Sequence, residues 1–178
     1  QYIPSVPEFT TYTVKLADGG VPQVSGTDAS GAKLDFSATD NSFVAGSDAT
    51  PEFVEHVKGR VETAISEYAL YFFYQKFDLA SYMYPGTEVY VSIFGDETHD
   101  RIDPWLYMWE NVTGTSFNEL SADHFIRYGE DCFTVDVKYD LVINLDAYAD
   151  DGDDMNATWV WVWNTQANAW QISDIILH

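Results

Sequence analysis

The stretch CFTVDVKYDLVINLDAY, residues 132–148, decides the fold. Phe133, Val135, Val137, Tyr139, Leu141, Ile143 and Leu145 take every second position, and Thr134, Asp136, Lys138, Asp140, Asn144 and Asp146 fall between them. A period of two belongs to a strand with one buried face. Two more extended pieces follow, Trp159-Val160-Trp161-Val162-Trp163 and Trp170-Gln171-Ile172-Ser173-Asp174-Ile175-Ile176. An acidic tip, Ala149-Asp150-Asp151-Gly152-Asp153-Asp154, precedes the first, and the turn-like Asn164-Thr165-Gln166-Ala167-Asn168 separates the two. The pattern predicts an antiparallel meander with strands at 132–148, 157–164 and 169–177. Residues 133–148 at ~3.3 Å each would run roughly 50 Å, whereas a compact chain of this size is about 40 Å across. The strand must therefore bend, and the concave face of a bent sheet needs a helix across it or a cavity within it.

The helix is found upstream. Thr50 suits an N-cap, Pro51 the first helical position, and Glu52 and Glu55 the positive end of the dipole. Phe53, Val57, Val61, Ala64, Ile65, Tyr68, Ala69 and Phe72 recur at three- and four-residue steps, which predicts a helix over about 51–76 with one face for the sheet. A shorter helix is expected over 77–84, stopped by Pro85-Gly86. Thr87 to Phe94 alternates like a strand, and residues 95–131 read as irregular apart from a strand at 124–128. Before the main helix, residues 1–8 look like a tether, and 9–37 like a small β-arm with too little apolar surface to fold alone. The expected division is 1–49, tether and arm packed on the main domain, and 50–178, the α+β domain.

The order of helix, short helix, Pro85-Gly86-Thr87-Glu88-Val89-Tyr90, an irregular aromatic segment and a meander closing on Trp170-x-Ile172-x-Asp174 resembles the nuclear transport factor two-like domain. That domain is a cone-shaped α+β fold of the cystatin-like kind. In particular the chain resembles the copies carried outside the membrane by anchored proteins of Gram-positive bacteria. The resemblance implies helices over a bent antiparallel sheet and a space between them. It also implies an extracytoplasmic, cell-surface or secreted location. It does not fix a chemistry, because such a fold hosts enzymes and binding modules alike.

Composition narrows the partners. Eight Lys and Arg stand against 29 Asp and Glu, a formal charge of −21. Nucleic acid and anionic lipid reward clustered cations, so both are set aside. The single Cys132 makes no internal disulfide and reads as a small buried thiol. No apolar run approaches the ~20 residues of a membrane span. The chain opens on Gln1, which reads as a processed chain or an excised domain.

The side chains expected to line a ligand pocket in the cone are Tyr68, Phe72, Tyr90, Trp105, Trp109, Asp136, Asp146 and Trp161. Asp136, Asp140 and Asp146 alternate on the polar side of the long strand, and a pocket Asp there would serve a small-molecule isomerase or lyase. The alternating charges of a solvated sheet face are the simpler reading, and no catalytic residue is assigned. Asp150, Asp151, Asp153 and Asp154 lack the spacing of a calcium loop. Asp96, Glu97, His99, Asp100 and Asp103 offer one His among carboxylates, too little for a transition-metal site. Neither cofactor nor metal is expected. The expectation is a non-catalytic binding or assembly module whose partner is a small molecule, a cell-surface protein or peptide, or a second copy docked through the sheet.

Overall fold

The computed structural model describes residues 9–16, 22–28, 33–35, 47–72, 78–102, 112–128, 130–145 and 149–178. Strands β1 (Phe9–Leu16), β2 (Pro22–Asp28) and β3 (Lys33–Asp35) form one antiparallel sheet in that order. After β4 (Ser47–Asp48) come helix α1 (Pro51–Tyr71), a 3-10 turn (Leu79–Tyr82) and helix α2 (Glu88–Phe94). The chain closes with β5 (Val112–Arg127), β6 (Cys132–Leu145), β7 (Ala149–Asn164) and β8 (Ala169–Leu177). The order β4-β5-β6-β7-β8 is antiparallel throughout. The chain is thus α+β, with helices packed on a five-stranded antiparallel sheet.

Helix α1 begins where its signals place it. The Thr50 hydroxyl accepts from the Phe53 N–H at 3.2 Å, and Pro51 fills the first turn, where no N–H is needed. Phe53, Val57, Val61, Ala64, Ile65 and Ala69 are buried against the sheet, as their spacing predicts. The helix ends at Tyr71, and the rest of the expected span, 73–77, lies outside the described residues. Arg60 ties α1 to its neighbours: Nε donates to Trp170 O at 2.7 Å and Nη2 to Ser81 O at 3.0 Å.

Four expectations need correction. Residues 88–94 are helical, not extended. Thr87 caps them by accepting from the Tyr90 N–H at 3.3 Å, and Gly95 ends them at φ 75°. Val89 and Ile93, like Tyr90 and Phe94, are four apart and pack together on the core, so the caps rather than the short alternation decide. The expected second helix is reduced to the 3-10 turn, because Met83 turns extended to bridge Ile172 while Tyr84 N donates to Ile172 O at 2.8 Å. Residues 112–127 form one long strand rather than an irregular segment with a short strand. This strand shifts register three times against β6, and His124 sits at φ 60° in the last shift. Those bulges break the period that sequence reading depends on.

The acidic run 149–154 is the start of β7, not a hairpin tip. Asp153 pairs with Leu141 and Asp154 with Asp140. Gly152 fits at the irregularity between Leu141 and Val142, where a Cβ would stand 2.6 Å from Ile143 Cγ1. Residues 146–148, between the strands, lie outside the described residues.

The core fills the space between α1 and the sheet. Phe133, Val135, Val137, Tyr139, Leu141 and Ile143 of β6 all face α1, together with Trp159, Trp161 and Trp163 of β7. The Phe133 and Trp161 rings stack at 5.8 Å, while Phe53 and Trp170 meet Phe133 edge-on at 5.3 and 5.0 Å. On the reverse face Val160 and Val162 are buried with Tyr84, Tyr128 and Cys132. The tryptophan strand is covered on both sides, as its composition predicts.

Candidate functional site

The residues expected to line a pocket do not gather around one. Trp161 is fully buried in the centre of the core. Tyr68 and Phe72 meet edge-on at 6.0 Å along α1, and Tyr90 packs on Phe94 at 4.9 Å. Asp136 points away from α1, on the reverse face of β6, beside its cross-strand partner Thr158. Trp105, Trp109 and Asp146 lie outside the described residues, as does Asp103.

What the pairing assembles instead is on the face of the sheet away from α1. Residues directly opposite in adjacent strands share a face, so the register sets Glu119, Asp140 and Asp154 side by side across β5, β6 and β7. Four residues along each strand, Asp123 lies opposite Asp136. Lys138, between the two rows, faces Ser121 and Asn156. Like charges directly opposite weaken a sheet.

Asp136 is the centre of a hydrogen-bonded chain. Its Oδ2 is 3.2 Å from His124 Nδ1 and its Oδ1 3.1 Å from Thr158 Oγ1, which in turn is 2.7 Å from His178 Nε2. One proton arrangement satisfies every member: His178 Nε2–H donates to Thr158, whose hydroxyl donates to Asp136. Asp136 thus takes the Thr158 proton itself and His178 donates to that hydroxyl, so neither His124 nor His178 is oriented to draw a proton from it.

A groove of about 820 Å³ rounds the edge of β7 beyond the end of β8. The last bond of that ladder is His178 N–H to Asn156 O at 2.9 Å. Glu119, Asp140, Asp153 and Asp154 line the groove with Tyr139 and Met155. Asp153 shares the α1-facing side with Tyr139, and its Oδ1 accepts from the Asp154 N–H at 2.9 Å. Partial burial raises the Asp153 carboxyl above its ordinary range, and the neighbouring Asp154 charge adds to this. Burial likewise raises the Tyr139 hydroxyl, reinforced by the charge of Asp153.

Two further acids have distinct environments. Asp131, in the turn before β6, is 1% exposed, and among the described residues neither carboxyl oxygen makes a hydrogen bond of sound geometry. Burial raises it to about 7, with its own N–H and the Arg127 guanidinium opposing only in part. Asp96 is organised by its own loop: Oδ1 accepts from Thr98 N at 2.7 Å and His99 N at 2.9 Å. The Thr98 N–H is the main cause that holds Asp96 at about 2. Its acidity thus serves the turn. Among the described residues no three His, Cys, Asp or Glu side chains converge as metal ligands.

The acidic rows were missed in the sequence because their members come from three strands and meet only through a register that bulges displace. Asp131 carries no signal at all, since nothing in its neighbours distinguishes a buried turn acid from an exposed one. No protein family, no curated protein and no solved structure matches the chain.

Proposed function

We propose that this chain is a non-catalytic extracytoplasmic binding or assembly module with a cone-like α+β domain of the nuclear transport factor two kind. The observation that carries the non-catalytic part is how the aromatic side chains among the described residues fill the interior. Phe53, Phe133, Trp159, Trp161 and Trp170 occupy the space an enclosed active site would need. An enzyme of the isomerase or lyase kind requires an ionisable group within an apolar cavity and a partner in hydrogen-bond reach. Asp136 is on the wrong face for it, and Asp131 does not line the groove at the β7 edge.

The cone assignment is supported by the meeting of its two motifs: the segment leading into α2 runs against β8, where Tyr84 bonds Ile172 and the Glu88 charge reaches Asp174. The extracytoplasmic placement rests on the resemblance alone. No helix among the described residues is long and apolar enough to cross a membrane. The binding surface is the acidic side of the sheet, where a second copy would set like charge against like. This favours a cationic partner over a homodimer.

Uptake of a small apolar ligand tests the closed interior, because an empty apolar cavity stays dry and accepts benzene or xenon. Benzene is expected to leave the methyl resonances of Val61, Ile65 and Val135 unmoved in the natural protein, and to move them in Trp161→Ala. Saturable uptake by the natural protein would restore the enzyme reading.

A further inference from the structure

None of the 16 residues of β5 is buried, although every α1-facing side chain of β6 beside it from Phe133 to Ile143 is. Register shows which side chains of β5 share that side. Val112, Thr115, Phe117 and Leu120 lie opposite Leu145, Ile143, Leu141 and Tyr139, an even step of two along β6. Val112 and Phe117 pack only partly on the core, and Leu120 is 44% exposed. The outer edge of the strand is open as well. β4 pairs with β5 at Ile126 and Arg127, the Ala49 N–H donates to Phe125 O at 2.9 Å, and no described strand pairs with that edge before Phe125. An open edge is a template for another strand, and folds blunt it with charge or Pro. Val112–Asn118 carries neither, in a chain of formal charge −21.

The row is also symmetric. The extra residues at Thr113 and Asn118 fall on either side of Ser116, which lies opposite Val142, so in steps along β6 Thr115 and Phe117 are equally far from Ser116, and so are Val112 and Leu120. We propose that two copies of this chain pair antiparallel through this edge, about a two-fold axis at Ser116. Thr115 of one copy then meets Phe117 of the other, and Val112 meets Leu120, so the apolar row closes on itself as an isologous contact requires. Glu119 faces Gly114, which has no side chain to crowd it. The two Glu119 carboxylates stand roughly 13 Å apart along the strands, beyond the ~8 Å over which charge acts at about 0.15 M salt. Face-to-face docking would press the acidic rows together, whereas edge pairing leaves them free in one plane. A second copy suits this edge better than a cationic peptide, because Val112–Asn118 has no charge to attract one. The dimer does not depend on the cationic partner of the acidic face, and its absence would leave that reading standing.

Sedimentation equilibrium at about 0.15 M NaCl, over a roughly hundredfold range of protein concentration, tests the pairing. The natural protein is expected to pass from monomer to dimer. Ser116 is exposed and faces its own copy across the axis, so Ser116→Asp and Ser116→Lys each set like charges opposite one another. Each should weaken the dimer at least about tenfold, with the circular dichroism of the natural protein. An equimolar mixture of the two variants should dimerise again, because opposite charges then meet, a rescue that only an isologous contact gives. Leu120→Gln, at a position already exposed, should weaken the dimer about threefold or more through loss of the contact with Val112. Ala167→Asp, which adds equal charge in the turn between β7 and β8, should leave it unchanged. A natural protein that stays monomeric overturns the pairing and leaves the edge to another chain's strand. A dimer that Ser116→Asp and Ala167→Asp weaken equally, or a mixture without rescue, overturns it too.

Discussion

The two faces of β6 obey different rules. Toward α1, Phe133 through Ile143 present six side chains in succession that are at most 2% exposed, and their neighbours across β7 are Trp161, Trp159, Ala157 and Met155. Away from α1, the same strand sets Asp140 between Glu119 and Asp154 and Asp136 against Asp123. The first face is what stability alone would produce. The second violates the cross-strand charge rule at two rows separated by the Lys138 row, and a local rule broken without gain to the fold points to function. The difference is what recommends the acidic face as the proposed binding surface.

The comparison breaks first if the apolar face is not the source of stability. Phe133→Ala should destabilise by ~3–5 kcal/mol and Ile65→Ala by ~2–4 kcal/mol, as large-to-small core changes do. Val61→Ala should cost less, about 1–2 kcal/mol, since a smaller group is lost. Urea melts of the three variants check the ranking. Near-natural midpoints for Phe133→Ala and Ile65→Ala would mean that α1 does not pack as described.

Asp131 sharpens the comparison, because among the described residues it is the one fully buried acid. Its folded pKa is raised, so between its ordinary 3.8 and about 7 the folded state holds a proton that the unfolded state releases. Stability from this group is therefore greatest at acid pH and falls as pH rises from about 4 to about 7. At ~1.4 kcal/mol per pH unit the span sets a ceiling of ~4 kcal/mol. Asp131→Asn should flatten that slope in melts taken at pH 4.5, 6 and 7.5. An unchanged slope would place the acid in solvent.

Much of the apolar face was legible in the sequence, and little of the acidic one. Strict alternation from Phe133 to Ile143 and the stripe from Phe53 to Ala69 each follow a single period, so β6 and α1 could be read directly. In α2 the cap at Thr87 outweighs an alternation of eight residues, and in β5 the bulges at Thr113, Asn118 and His124 erase the period. The charged rows depend on those same bulges. Glu119, Asp140 and Asp154 are unremarkable one by one, and form one acidic row only when the three strands are in register.

The smallest expected effect is also the most direct test of the difference between the faces. In Glu119→Gln/Asp140→Asn/Asp154→Asn, relief of two cross-strand repulsions should stabilise by about 0.5–2 kcal/mol at low salt. Melting temperature is measured for this variant and the natural protein from about 10 mM to 150 mM NaCl, as the Debye length falls from ~30 Å to ~8 Å. The natural protein should gain stability steeply with salt. The variant should start higher and gain less, so that the two curves converge. Parallel curves, or a variant that melts lower at every salt concentration, would contradict the account, because the acidic rows would then be either silent or supporting the fold.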